Sequence, residues 1–94
     1  MRSIYLLPGR GGSLDAGLGL ALKARGYHVS GRETLGDFAK LSLPHQALAI
    51  SQDLQADFWD NDALVVANSY GAYLFLFAQA LIPPLLGKVL LLSP

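Results

Sequence analysis

The residue in this sequence most ready to do chemistry is Ser69, set in Ala67-Asn68-Ser69-Tyr70-Gly71 between an apolar run and an apolar helix pattern. A residue at the tip of so short a strand-to-helix turn sits in a strained backbone conformation. Its neighbours two places either side must then be small, as Ala67 and Gly71 are. Such a turn lifts the serine Oγ above a sheet, where a base can reach it. It also aims the backbone N–H of Tyr70, at a helix N-terminus, toward a developing oxyanion. A second segment with chemical potential is Pro8-Gly9-Arg10-Gly11-Gly12-Ser13. It follows an apolar strand and precedes a helix, the context of an anion-binding loop. Both segments also have a plain reading, because glycine fits tight turns and serine caps helices.

The elements that must hold these residues can be read from apolar spacing. Ile4 to Leu7 is a continuous apolar strand of the kind covered on both faces. Asp15 to Arg25 reads as a helix with Leu14, Leu18, Ala21 and Leu22 on one face, stopped by Gly26. Tyr27 to Ser30 is a short second strand, and residues 31–41 carry no element assignment. A long helix begins at Ser42 and Pro44, with Ala47, Ile50, Leu54 and Phe58 at helical spacing. After the turn Asp60-Asn61-Asp62 comes a third strand, Ala63 to Ala67. The helix Tyr70 to Leu81 is apolar nearly all round and is expected to be buried against more than one neighbour. Pro83-Pro84 ends it, and Val89 to Leu92 is a fourth strand.

Alternation of this kind predicts a three-layer α/β/α sandwich with a mainly parallel sheet of about four strands. Ligands of such sheets bind at the carboxyl ends of the strands, where the Gly9 loop and the Ser69 turn both fall. The 94 residues make one small domain. Seven basic and seven acidic side chains cancel without forming a basic stripe, which argues against nucleic-acid and anionic-membrane partners. There is no cysteine, so there is no disulfide framework, thiolate metal site or cysteine nucleophile. The expected location is the cytoplasm, and no metal or cofactor is expected. No apolar run reaches the ~20 residues of a membrane span.

Taken with their setting, these motifs resemble the α/β-hydrolase fold, in its small serine hydrolase or esterase form, and they cover its N-terminal half only. Ala67-x-Ser69-x-Gly71 resembles the nucleophile elbow. Leu6-Leu7-Pro8-Gly9-Arg10-Gly11-Gly12 resembles the oxyanion loop, with Pro8 where the family usually has His. Val89-Leu90-Leu91-Leu92-Ser93-Pro94 resembles the strand after the elbow helix. The resemblance implies a hydrolase of esters, thioesters or amides. Ser69 would be the nucleophile and the N–H groups of Tyr70 and Arg10 the oxyanion donors, with Gly9 and Gly11 shaping the loop.

It also implies an acid and a histidine after the serine, and the residues that follow Ser69 contain no His, Asp or Glu. His28 reads as a partly buried strand residue, and His45 as a surface residue of a helix start. Asp53, Asp57, Asp60 and Asp62 read as a solvated face at the amino edge of the sheet. Tyr5, Phe38 and Tyr73 read as core. The chain is thus expected to be an incomplete hydrolase-like domain whose base and acid come from sequence beyond Pro94 or from another chain. Its partners would be a small acyl substrate and either a second copy or the missing half, docked on the last strand. Two alternatives stand beside this. One is a non-catalytic hydrolase-like interaction module. The other is a nucleotide or phosphate binder using the Gly9–Ser13 loop, although that loop fits neither Gly-x-Gly-x-x-Gly nor a Walker pattern.

Overall fold

The computed structural model describes residues 2–92, so Ser93 and Pro94, at the end of the predicted fourth-strand segment, lie outside the described residues. Four strands alternate with helices: β1 (Ser3–Leu7), α1 (Gly17–Ala24), β2 (His28–Gly31), α2 (Gly36–Lys40), α3 (Leu43–Asp57), β3 (Leu64–Asn68), α4 (Tyr70–Gln79) and β4 (Lys88–Leu92). The sheet has the order β2-β1-β3-β4, and all three pairings are parallel. The register sets Leu7 beside Ala67, and Ala67 beside Leu91. Every strand therefore ends on one edge, the carboxyl edge.

β1 shows why an apolar run without alternation marks the centre of such a sheet. Tyr5 and Leu7 pack with Ile50, Leu54, Val65, Leu74 and Phe75 on one face. Ile4 and Leu6 pack with Val66, Leu14, Leu18 and Leu22 on the other. The first face is covered by α3 and α4, the second by α1, which gives the three layers. Burying side chains of this size contributes about 1.5–3 kcal/mol each relative to leaving them exposed.

The local differences from expectation have local causes. α1 starts at Gly17 rather than Asp15, because the Ser13 hydroxyl accepts the Asp15 N–H at 3.0 Å and holds a turn there. α2 is a single short helix in the unassigned stretch, too brief to show a period, with Phe38 packed on the α3/α4 side. α3 begins as predicted, with Pro44 in its first turn and the Ser42 side chain accepting the His45 N–H.

α4 packs against α3, β3 and β1, more than one neighbour as expected, but it is not covered all round. Its inner face of Ala72, Leu74, Phe75 and Ala78 is buried, but Tyr73, Leu76 and Phe77 are 49%, 52% and 41% exposed. Tyr73 is thus a surface residue and not core. The exposed aromatics pack on one another, Tyr73 against Phe77 edge-on at 4.9 Å between ring centres. β4 is an edge strand, with Leu90 54% exposed while Leu91 and Leu92 pack inward on opposite faces. No helix among the described residues is long and apolar enough to cross a membrane.

Candidate functional site

Ser69 is the whole of the junction between β3 and α4. Its φ of 55° and ψ of −118° make it the single non-glycine residue with positive φ among those described. For an L-residue this conformation costs on the order of 1–3 kcal/mol. It is imposed from both sides. The Ser69 N–H donates to the Leu92 carbonyl at 2.8 Å, extending the β3–β4 ladder, while the Ser69 carbonyl already accepts from Ala72 and Tyr73 of α4. One residue must turn the chain from strand to helix, and both ends are hydrogen-bonded in place. The Ser69 side chain makes no cap bond, so the plain helix-cap reading of this serine does not describe it. Ser69 is an exposed residue at the carboxyl edge. The N–H groups of Tyr70 and Gly71, ahead of the first intrahelical bonds, lie at the positive end of α4.

Gly71 makes this turn possible. A β-carbon there would run into the Leu7 carbonyl and lie 2.7 Å from the oxygen of Pro8. The start of α4 therefore rests directly on the end of β1. Ala67, at the end of β3, is fully buried and leaves room beneath the turn.

The Gly9 loop meets the serine from the β1 side. A β-carbon on Gly9 would be 3.4 Å from the Ser69 β-carbon and 3.8 Å from its Oγ. The two segments singled out from sequence are therefore in contact. The loop is held by Thr34, whose hydroxyl donates to the Gly9 carbonyl at 2.6 Å and whose own carbonyl accepts the Gly11 N–H at 3.3 Å. Within the loop, the Gly12 N–H donates to the Gly9 carbonyl at 2.9 Å. Arg10, at its tip, is exposed and lays its guanidinium over the Tyr70 ring at 4.3 Å. On its far side the loop forms a cleft of about 390 Å³ with the start of α1 and Asn68.

Tyr70 is fixed in turn by Gln46. The Tyr70 hydroxyl donates to Gln46 Oε1 at 3.1 Å, and Gln46 Nε2 donates to the carbonyls of Phe38 at 3.0 Å and Leu41 at 3.2 Å. Thr34 and Gln46 are both buried, and sequence reasoning singled out neither. Each is an ordinary polar residue in sequence. Only the topology, which brings the end of β2 and the start of α3 to this edge, reveals its place.

The two histidines lie elsewhere. His28 is the first residue of β2, exposed at the amino edge rather than partly buried. Six residues along a strand, the offset from that edge to Ser69, span about 20 Å. His45 is on the surface as expected, its Nδ1 2.7 Å from Ser42 Oγ. Among the acids, Asp57, Asp60 and Asp62 are exposed at the amino edge, Asp57 at the end of α3 and the other two in the turn before β3, but Asp53 is not part of a solvated face. It accepts the Tyr5 hydroxyl at 2.6 Å and two Arg32 donors at 2.7 and 3.0 Å. This network ties α3 to β1 and to the end of β2. Burial, and then the neighbouring carboxylate, hold the Tyr5 phenol protonated well above the ordinary tyrosine range. No group of His, Cys, Asp and Glu that could hold a metal occurs among the described residues.

The carboxyl edge thus presents an exposed serine, free N–H groups at a helix start and a glycine loop against both. Such a set can add an alkoxide to an acyl carbon and hold the resulting oxyanion, given a base to take the proton. No family model, no curated protein and no solved structure matches this chain.

Proposed function

We propose that this chain carries the nucleophile of a serine hydrolase of the α/β-hydrolase type, acting on an ester, thioester or amide. The observation that carries the reading is the strained turn at Ser69, an exposed residue whose side chain caps nothing. Strain of this kind persists where the surrounding structure over-determines it, and active sites are where it concentrates. Ser69 Oγ attacks the acyl carbon and the leaving group departs with a proton. The N–H groups of Tyr70 and Arg10 receive the oxyanion. The base and the acid that orients it come from outside these residues, because His28 stands at the opposite edge and His45 is engaged with Ser42.

A missing base can be supplied from solution. The chain is treated with a fluorophosphonate in the presence and absence of imidazole, and modified serines are mapped by mass spectrometry. Imidazole is expected to promote modification of Ser69 at least about tenfold over the surface serine Ser42, consistent with general-base contributions of 10²–10⁴ in a positioned site. Ser69→Ala abolishes the signal. Equal modification of Ser69 and Ser42 refutes the nucleophile assignment.

A second reading, a hydrolase-like interaction module, draws on the exposed stripe Tyr73, Leu76 and Phe77 of α4 and, separately, on the open β4 edge. Unpaired strand edges and apolar patches of this kind mark association surfaces. The two readings are compatible, since a partner docked there could supply the base.

A further inference from the structure

Beside the Ser69 turn, Arg10, Thr34, Ala39, Leu41, Gln46 and Tyr70 line a second cleft of about 270 Å³. Its neutral polar groups are already used. The Thr34 hydroxyl donates to Gly9, both Gln46 bonds from Nε2 go to backbone carbonyls, and the Tyr70 hydroxyl donates to Gln46. Arg10 is the exception. Among the described residues it forms neither an ion pair nor a side-chain hydrogen bond, and its guanidinium carbon lies over the Tyr70 ring, 4.3 Å from the ring centre. A guanidinium carries five N–H donors in its plane. A cation–π contact with a ring holds the group in place without using those donors, which remain free to take a carboxylate through two parallel hydrogen bonds. Glu33, which follows β2 toward the same edge, does not compete, because its Oε2 accepts the Leu14 N–H at 2.8 Å.

We infer that Arg10 makes this site selective for acyl substrates bearing a carboxylate a few atoms from the scissile carbonyl. The inference rests on the reading of Ser69 as nucleophile and adds the substrate class. Arg10 follows Gly9, which touches Ser69, and it lies over the ring of Tyr70, which follows Ser69, so an anion on its guanidinium lies beside the reacting centre. A single cation suits a singly charged, planar group. The walls supplied by Ala39 and Leu41 suit a short aliphatic spacer between the carboxylate and the ester.

The test measures binding, without chemistry. Ser69→Ala protein labelled with ¹⁵N is titrated with monomethyl glutarate and, separately, with dimethyl glutarate, following the amides of Gly9, Arg10 and Tyr70. The monoanion is expected to bind about tenfold more tightly than the diester, the scale of one partly exposed bidentate pair. Added salt should erode that preference. Adding Arg10→Gln removes the preference and Arg10→Lys keeps part of it, since the ammonium retains charge but not the planar fork. Arg10 is exposed, so thermal melts of these variants should stay within a few degrees of the parent, the loss of one exposed cation–π contact. Equal affinities for the two esters, no saturable binding of the monoanion, or a preference that survives Arg10→Gln each overturn the inference. None of these outcomes bears on fluorophosphonate labelling of Ser69, so the two proposals can fail separately.

Discussion

The sheet delivers its chain to the carboxyl edge at two neighbouring strand ends, β1 and β3, and handles them in opposite ways. After β1 the chain spends the whole of Pro8–Ala16 before α1 begins. After β3 it spends Ser69 alone. The long junction satisfies its backbone step by step, through Gly12 to Gly9, Gly11 to Thr34 and Asp15 to Ser13. The short one has no such freedom. Its two ends are bonded to β4 and to α4, and the remaining torsion is forced on one residue. A long loop distributes its constraint as hydrogen bonds, whereas a one-residue turn concentrates it as strain, and strain needs a neighbour small enough to let the helix close in.

The largest expected effect tests that last point. Gly71→Ala places a methyl against the backbone of Leu7 and Pro8, neither of which can swing aside as a side chain would. The cost is expected to be about 3 kcal/mol or more, at the upper end for overpacking, and to lower Tm by more than 10 °C in a domain of this size. In the long junction, Gly11→Ala meets nothing within 4 Å and costs only its positive φ, about 1–2 kcal/mol. Urea unfolding of both variants measures the contrast. Similar losses at the two positions would mean that the short turn is no more constrained than the loop.

A smaller effect, of opposite sign, is expected at the apex. Ser69→Gly relieves the positive φ and keeps the rest of the turn. Against this, glycine gives the unfolded chain more freedom, worth about 0.4–1 kcal/mol. The net should be a gain of about 1 kcal/mol, seen as a higher urea midpoint, with all labelling at position 69 lost. Ser13→Gly in the loop should instead lose stability slightly, since the Ser13 hydroxyl accepts the Asp15 N–H. A protein made more stable by removing its proposed nucleophile would show strain maintained for a purpose other than folding. Destabilisation by Ser69→Gly would place the serine among ordinary structural residues.

The contrast also marks what could be read from the sequence. The strands β1 and β3 were legible because they are buried on both faces, which leaves an unbroken apolar run. The Ser69 turn was legible because its tightness demands small residues at fixed offsets, Ala67 and Gly71. The parallel order of the sheet followed from strand–helix alternation. What escaped reading depends on distant chain meeting. Thr34 and Gln46 hold the Gly9 loop and Tyr70 from the end of β2 and the start of α3, and no local pattern announces either. Asp53 looked like one more acid near a helix end, but Tyr5 of β1 and Arg32, just past the end of β2, both reach it. α4 was legible in part. Apolarity nearly all round promised burial against more than one neighbour, which α3, β1 and β3 supply, yet Tyr73, Leu76 and Phe77 on its outer side stay exposed.

The smallest effect on stability carries the sharpest question, whether the two junctions form one site. At Gly9 a β-carbon would stand in ordinary contact, 3.4 Å from the Ser69 β-carbon, 3.8 Å from its Oγ and 3.9 Å from the Asn68 carbonyl. Gly9 has no positive φ, so Gly9→Ala involves no backbone strain. Its stability should stay within about 0.5 kcal/mol of the parent, as for most surface changes. The added methyl nevertheless sits beside the hydroxyl, where an incoming acyl or phosphonyl group must approach. Imidazole-promoted fluorophosphonate labelling of Ser69 should therefore fall about tenfold, while Ser42 reacts as before. If both stability and labelling are unchanged, the loop merely passes the serine, and the oxyanion role of Arg10 falls with it. If labelling falls and stability holds, the long junction, free of strain itself, serves as one wall of the site that the short junction creates.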